Sequence, residues 1–346
     1  MNLKKTALAA AVSAALIAPM AAQAEATAYG SIRVKLEHTS IEPPVGDDVS
    51  DLGVEDVVSR FGLKGDMDLG NGMKAFGHYE FGVDATNGAI FNTAGNNGGN
   101  RLGYAGLQGG FGKVALGRQW SPSYLTTGTS VVGIVDGFAD GALSLVSSSN
   151  AAVPVRSSRA LTYANQFGPV TLMTLFQFNN DNGTNQSSDG TYTDQEALDR
   201  ADIAVKFKAG PATIALSTIQ DSEANGDDSH MGASVVFGFG SGHSARVHYE
   251  SYDYGGADDA ISINVGGIFS LGGGKSIRAI YGQQTDAVVL SGGTPSDITE
   301  IALGFTNQIN KATKVWVSGR NRVTEAVASG AETTMTEINT GIRFDF

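Results

Sequence analysis

The last eleven residues read Thr336-Glu337-Ile338-Asn339-Thr340-Gly341-Ile342-Arg343-Phe344-Asp345-Phe346. Thr336, Ile338, Thr340, Ile342, Phe344 and Phe346 fall on one side of an extended chain, and Glu337, Asn339, Gly341, Arg343 and Asp345 on the other. A period of two marks a β-strand with one apolar face. The same alternation recurs upstream. Phe61, Leu63 and Met67 alternate with Arg60, Gly62, Lys64 and Asp66, and Ala75, Tyr79 and Phe81 with Lys74, His78 and Glu80. Ile203, Val205 and Phe207 alternate with Asp202, Lys206 and Lys208, and Ala245, Val247 and Tyr249 with Arg246, His248 and Glu250. Ile280 and Trp316 break the pattern, sitting on the polar parity of their strands.

Sixteen such segments are predicted: 27–38, 58–67, 73–84, 100–109, 111–120, 158–166, 169–179, 199–208, 211–221, 231–239, 243–254, 259–270, 275–284, 297–308, 311–322 and 334–346. Tight turns such as Gly70-Asn71-Gly72 and Gly272-Gly273-Gly274 alternate with long polar connections, of which 121–157 is the longest. Short turns at one rim and long loops at the other are the layout of an outer-membrane barrel. A soluble β-sandwich would also alternate, but it needs no regular short/long sequence of loops. A β-helix would show a fixed repeat, and none is found. The expected fold is therefore all-β, a 16-stranded antiparallel transmembrane β-barrel. Closure satisfies every backbone hydrogen bond, as a bilayer core without water demands. The 121–157 connection carries an apolar stretch, Val131 to Val146, that is unwelcome on a free external loop. It is expected to fold inward.

Residues 1–24 precede this pattern. Lys4 and Lys5, an apolar run from Ala7 to Ala18, Pro19 and Ala22-Gln23-Ala24 have the order of a cleaved secretory signal peptide, leaving 25–346 as the barrel domain. Composition agrees. Of 346 residues 46 are Gly and none is Cys; 41% are hydrophobic and only 17% charged. The lack of Cys excludes disulfides, thiolate metal sites and cysteine nucleophiles. A net charge of −12 argues against nucleic-acid partners, which call for a basic face.

The motifs resemble the general diffusion porins of Gram-negative outer membranes, of the gammaproteobacterial type. Ala28-Tyr29-Gly30-Ser31-Ile32-Arg33 resembles that family's first strand, Ser59-Arg60-Phe61-Gly62-Leu63-Lys64-Gly65 its second and Phe76-Gly77-His78-Tyr79-Glu80-Phe81 its third. Arg101-Leu102-Gly103-Tyr104-Ala105-Gly106-Leu107 and Phe111-Gly112-Lys113-Val114-Ala115-Leu116-Gly117-Arg118 resemble the fourth and fifth, and the chain closes on the family's terminal Phe. The resemblance implies a homotrimer whose third long loop narrows each lumen, with loop acids facing wall arginines. Here those would be Asp136 and Asp140 on the loop and Glu80 on the wall, with Arg60, Arg101, Arg156 and Arg159 opposite. The loop reads Val135-Asp136-Gly137-Phe138-Ala139-Asp140-Gly141, departing from the family's commoner Pro-Glu-Phe-Gly-Gly tip. Arg60 and Arg101 could equally be solvated wall residues, and the two Asp could cap short helical turns. Arg118 shares the outward parity of Val114 and Leu116 and is a poor lumen candidate.

The implied function is passive diffusion of small hydrophilic solutes and ions, without cofactor or metal. Substrate-selective transport, a barrel enzyme or an adhesin are the alternatives. An enzyme is disfavoured because the five His (38, 78, 230, 243, 248) are scattered and no G-x-S-x-G or H-E-x-x-H motif occurs. The partners implied are a homotrimer, outer-membrane lipid and lipopolysaccharide, periplasmic chaperones and the barrel assembly machinery, which would read Phe346. Acids crowd the first long loop (Glu42, Asp47, Asp48, Asp51, Glu55 and Asp56), so a mild cation preference is expected.

Overall fold

The terminal segment closes the sheet on itself. In a computed structural model, which describes residues 25–90, 99–138, 144–145, 153–178, 198–221, 228–253, 259–287 and 295–346, β18 (Ala331–Asp345) pairs antiparallel with both β17 (Thr313–Ala326) and β1 (Glu25–Glu42). The remaining strands follow in chain order: β2 (Val49–Asp56), β3 (Arg60–Gly70), β4 (Met73–Asp84), β5 (Ala89–Ile90), β6 (Asn100–Gly109), β7 (Gly112–Trp120), β8 (Arg156–Phe167), β9 (Val170–Gln177), β10 (Arg200–Ala209), β11 (Ala212–Asp221), β12 (Asp228–Phe239), β13 (His243–Asp253), β14 (Ala260–Gly272), β15 (Lys275–Ala287) and β16 (Ser296–Gln308). Each main strand pairs with its neighbours, and the result is a closed 16-strand antiparallel barrel. β2 and the two-residue β5 are additions to that count. Residues 1–24, expected to be a leader, and Asp140 lie outside the described residues.

The parity read from the sequence is the parity of the wall, inverted relative to a water-soluble protein. Ile338 and Phe344 are 56% and 47% exposed, whereas Glu337 and Asn339, on either side of Ile338, are 6% and 2% exposed. Polar side chains fill the inside and apolar ones cover the outside, as a lipid-facing wall requires. Among the described residues no helix is long and apolar enough to cross a membrane.

The seam has its own fitting. Phe346 N donates to Gly30 O at 3.1 Å and Gly30 N to Phe346 O at 2.9 Å. The Phe346 ring lies over Gly30, where a Cβ would stand 2.3 Å from the ring edge. Only glycine admits that approach.

One stretch differs from expectation. The connection 39–57 is not a free loop. β1 runs on to Glu42 and pairs with β2 from Val34↔Asp56 to Ile41↔Val49, so the wall continues as a hairpin. Acids on both parities, Asp51 and Glu55 against Asp56, conceal the alternation there. The left-handed backbone of Val58 (φ 63°) separates β2 from β3.

After β7 the chain makes one short helix, α1 (Pro122–Thr126), and a 3-10 turn over Gly128–Ser130. Ser121 caps α1 by accepting Tyr124 N at 3.2 Å, and Pro122 suits the first turn. Asp202 of β10 holds this start: its carboxylate accepts Ser121 Oγ at 2.5 Å, Ser123 Oγ at 2.7 Å and Ser123 N at 3.1 Å. Val131, Ile134, Val135 and Phe138 then form a buried apolar cluster with Ile280 and Ala302. Ile280 and Trp316, the two parity exceptions, are thus accounted for. Ile280 seats the loop's apolar residues. Trp316 donates Nε1 to Asn339 Oδ1 at 2.9 Å and abuts Gly137 (φ +93°), where a Cβ would stand 2.6 Å from Nε1.

Candidate functional site

Two groups of opposed charges stand on the polar parity. The first is built by β3, β4, β6 and the start of β8. Register puts Arg60 opposite Gly82 and Glu80 opposite Leu102, one residue from Arg101. Arg101 Nε donates to Glu80 Oε1 at 2.6 Å, Arg60 Nε is 3.7 Å from Oε2, and Tyr29 Oη donates to Oε2 at 2.7 Å. Glu80 and Arg101 are buried. Trp120 lies under two guanidinium groups, with Arg156 at 4.9 Å and Arg101 at 5.5 Å from its ring, and Tyr124 stacks on it at 4.9 Å. Such stacking holds the two guanidinium groups side by side on the ring face. Of the predicted residues, Arg60, Glu80, Arg101 and Arg156 are therefore neighbours. Glu80 sits among the arginines rather than across a gap from them. Arg159 is exposed, in left-handed backbone (φ 51°) at an irregularity of β8. Arg118 reaches Asn100 O at 2.9 Å and Ser158 Oγ at 2.6 Å.

The second group surrounds Asp136. Its carboxylate pairs with Lys314 Nζ, with Arg278 Nη1 at 3.2 Å and with Thr306 Oγ1 at 2.7 Å. None of these partners was singled out from the sequence. Arg278 also belongs to a row of wall cations that hold the loop by its backbone carbonyls. Lys206 Nζ donates to Leu125 O at 3.2 Å, Arg246 Nη1 to Ser130 O at 3.0 Å and Arg278 Nη1 to Ile134 O at 3.2 Å. Arg320 lies 4.5 Å over the Phe138 ring and is tied to Glu337 and, at 3.6 Å, to Glu300. A usable signal existed: Lys206, Arg246, Arg278 and Lys314 all have polar parity on their strands. Nothing in one strand reveals that the partner is a carbonyl more than eighty residues away.

Farther along the loop, Leu145 N donates to Glu250 Oε2 at 2.6 Å and Ser144 Oγ at 3.1 Å. Two of the five scattered histidines meet there: His230 Nε2 and His248 Nε2 lie 3.5 and 3.4 Å from Glu250 Oε1. Among the described residues no group of three or more His, Asp or Glu is arranged to hold a metal ion.

Among the described residues, cations outnumber acids in both charged groups, and each acid is in contact with more than one cation or donor. Such a surface attracts anions and holds their carboxylate or phosphate oxygens by N–H donors.

Residues 7–322 match the family described as Gram-negative porin. The major outer membrane protein P.IB of Neisseria meningitidis is 41% identical over 104 residues, 29% of this chain and 30% of that protein; the chain thus aligns with less than a third of its length. Outer membrane porin protein 32 of Delftia acidovorans is 26% identical over 339 residues, 91% of this chain and 88% of that one. Among solved structures, the anion-selective porin from Comamonas acidovorans superposes with a TM-score of 0.67 at 21% identity, covering 94% of this chain and all of that one.

Proposed function

The chain belongs to the Gram-negative porin family, and from that premise we propose that it is a passive channel for small hydrophilic solutes and ions, with the 121–157 connection folded into the lumen as its constriction. The support is the packing of Val131, Ile134, Val135 and Phe138 on Ile280 and Ala302, residues of the wall's polar parity. Asp136, Asp140, Glu80, Arg60, Arg101, Arg156 and Arg159 are proposed to line or border the narrow part. No step of this activity needs a catalytic group or cofactor. The size of the gap and its fixed charges do the sorting.

The selectivity expected from loop acids alone is revised. Asp136 faces Lys314 and Arg278, and Glu80 faces Arg101 and Arg60 with Arg156 nearby. That excess of cations is the observation that carries the proposal: the pore prefers anions. The acids of 42–56 lie at the rim, where salt screens them within about 8 Å. The measurement is the zero-current potential of the purified protein in a planar bilayer under a salt gradient. An anion-signed potential is expected, moving towards cations in Arg60→Gln/Arg101→Gln; a cation-signed wild type sinks the assignment.

The protein is further proposed to be exported by a cleaved leader at 1–24 and delivered by periplasmic chaperones and the barrel assembly machinery. In the outer membrane it would form a homotrimer among lipid and lipopolysaccharide. Phe346, seated over Gly30 at the seam, is proposed as the residue that machinery reads. Its deletion should lower the amount of heat-modifiable trimer on a gel, and an unchanged band argues against that role.

A further inference from the structure

Between the Glu80 group and the short turns, the polar parity of β1, β4 and β6 carries the rings of Tyr29, Phe76, His78 and Tyr104. Phe76 precedes Glu80 by four positions, about 13 Å along β4. The polar atoms of these rings satisfy one another. Tyr29 Oη donates to Glu80 Oε2 and accepts from His78 Nε2 at 2.5 Å, and His78 Nδ1 accepts from Tyr104 Oη at 2.8 Å. The ring faces are left over. Tyr29 lies over Gly62, where a Cβ would stand 2.5 Å from its Cζ, and the Phe76 ring reaches over Gly106, where a Cβ would stand 2.7 Å from its Cζ. A ring over a glycine shields sheet backbone that lacks a side chain of its own. That accounts for two rings on the wall, but not for what stands on them.

Lys64 Nζ is 5.4 Å from the centre of the Tyr29 ring, and Lys113 Nζ is 4.3 Å from that of Phe76 and 5.7 Å from that of Tyr104. Both ammonium groups rest on rings rather than on acids. Among the described residues neither lysine makes an ion pair or a hydrogen bond. The acids of 60–80 are engaged elsewhere: Asp66 with Lys74 at 3.1 Å, Asp68 with Gly70 N at 2.7 Å, and Glu80 with Arg101. A cation held over a ring face keeps N–H donors open to a further partner.

We propose that Lys64 and Lys113, with the faces of Tyr29, Phe76 and Tyr104, form a subsite for small aryl carboxylates. Such a solute brings a carboxylate for an ammonium and a flat ring for the aromatic faces. It therefore gains charge-assisted hydrogen bonds and ring contact together. An aliphatic anion gains only the first, and an aryl cation is repelled by both lysines. The subsite rests on the pore reading proposed above, in which this wall meets passing anions, and the test separates the two.

Equilibrium dialysis of the full chain in detergent, against a detergent blank, reads binding whether or not the pore conducts. Benzoate should bind about threefold more tightly than cyclohexanecarboxylate, which has the same charge and nearly the same size but no aromatic face. Lys64→Gln/Lys113→Gln should weaken benzoate about tenfold. Phe76→Leu/Tyr104→Leu should remove its advantage over the saturated acid. Equal binding of the two acids by the unmodified chain overturns the proposal, and that comparison needs no variant to fold. An advantage of benzoate that survives Phe76→Leu/Tyr104→Leu overturns it as well. The zero-current potential keeps the two readings apart. A benzoate preference in a pore with a cation-signed potential keeps the subsite and refutes the anion preference, and equal binding in an anion-signed pore does the reverse.

Discussion

The walls around Glu80 and around Asp136 carry similar charges and are built in opposite ways. At Glu80 the acid, both ion-paired arginines and the hydrogen-bonding tyrosine all come from strands, so the ladder β1–β3–β4–β6 alone sets their geometry. At Asp136 the cations come from β15 and β17, while the acid arrives on a segment with no ladder of its own. The first is an electrostatic feature of the wall. The second is also a mechanical joint, because its ion pairs hold the loop in place. Removing an acid should therefore have different consequences at the two sites.

The largest effect is expected from comparing Asp136→Asn with Glu80→Gln. Both delete one negative charge and should strengthen the proposed anion preference. Asp136→Asn also leaves Lys314 and Arg278 facing each other without the carboxylate that ties both to the loop. It should add open-channel noise and conductance heterogeneity, which Glu80→Gln should not. Equal noise in the two variants would erase the distinction. A smaller effect, about 3 kcal/mol from lost burial and the cavity left behind, is expected from Phe138→Ala. This change alters no charge, so single-channel recordings should show a noisier current at an unchanged zero-current potential. A shifted potential with a quiet current would mean that Phe138 acts on the field rather than on loop position.

The wall was legible because a barrel writes its two faces into alternate residues. Phe344 and Arg343 can be assigned to lipid and lumen without knowing what either touches. Arg60 and Glu80 were singled out the same way, whereas Arg101, which sits at the irregularity between Asn100 and Leu102, was singled out by the family resemblance alone. The loop's attachments were not legible. Ile280 and Trp316 stood out as violations, and only the folded chain shows them to be, respectively, a seat for the loop and a support beside Gly137. Lys314 and Arg278 looked like ordinary lumenal residues, since an ion pair to Asp136 across well over a hundred residues leaves no trace in either strand. His230 and His248 looked unrelated because eighteen positions separate them, although adjacent antiparallel strands bring both to Glu250. The hairpin at 49–56 was missed because Leu52 and Val54 share their face with Asp56, and Val49 shares the other with Asp51 and Glu55, which blurs the alternation that identifies the rest.

The Gly30–Phe346 contact also bears on the order of events in time. Every hairpin of this wall joins segments that follow one another and can form as soon as both are present. The β1–β18 ladder alone joins the first described strand to the last, so its loop-closure entropy is that of the whole chain. Until the final residue has been delivered, the sheet has two open edges, each a row of unpaired amides and carbonyls that another copy could extend. Closure removes both edges in one step. A barrel lacking its last residue would keep the pairs from Ser31↔Asp345 to Glu42↔Thr334 but lose the two hydrogen bonds and the ring that fasten their end, so its defect would be a seam that closes less firmly and reopens more readily.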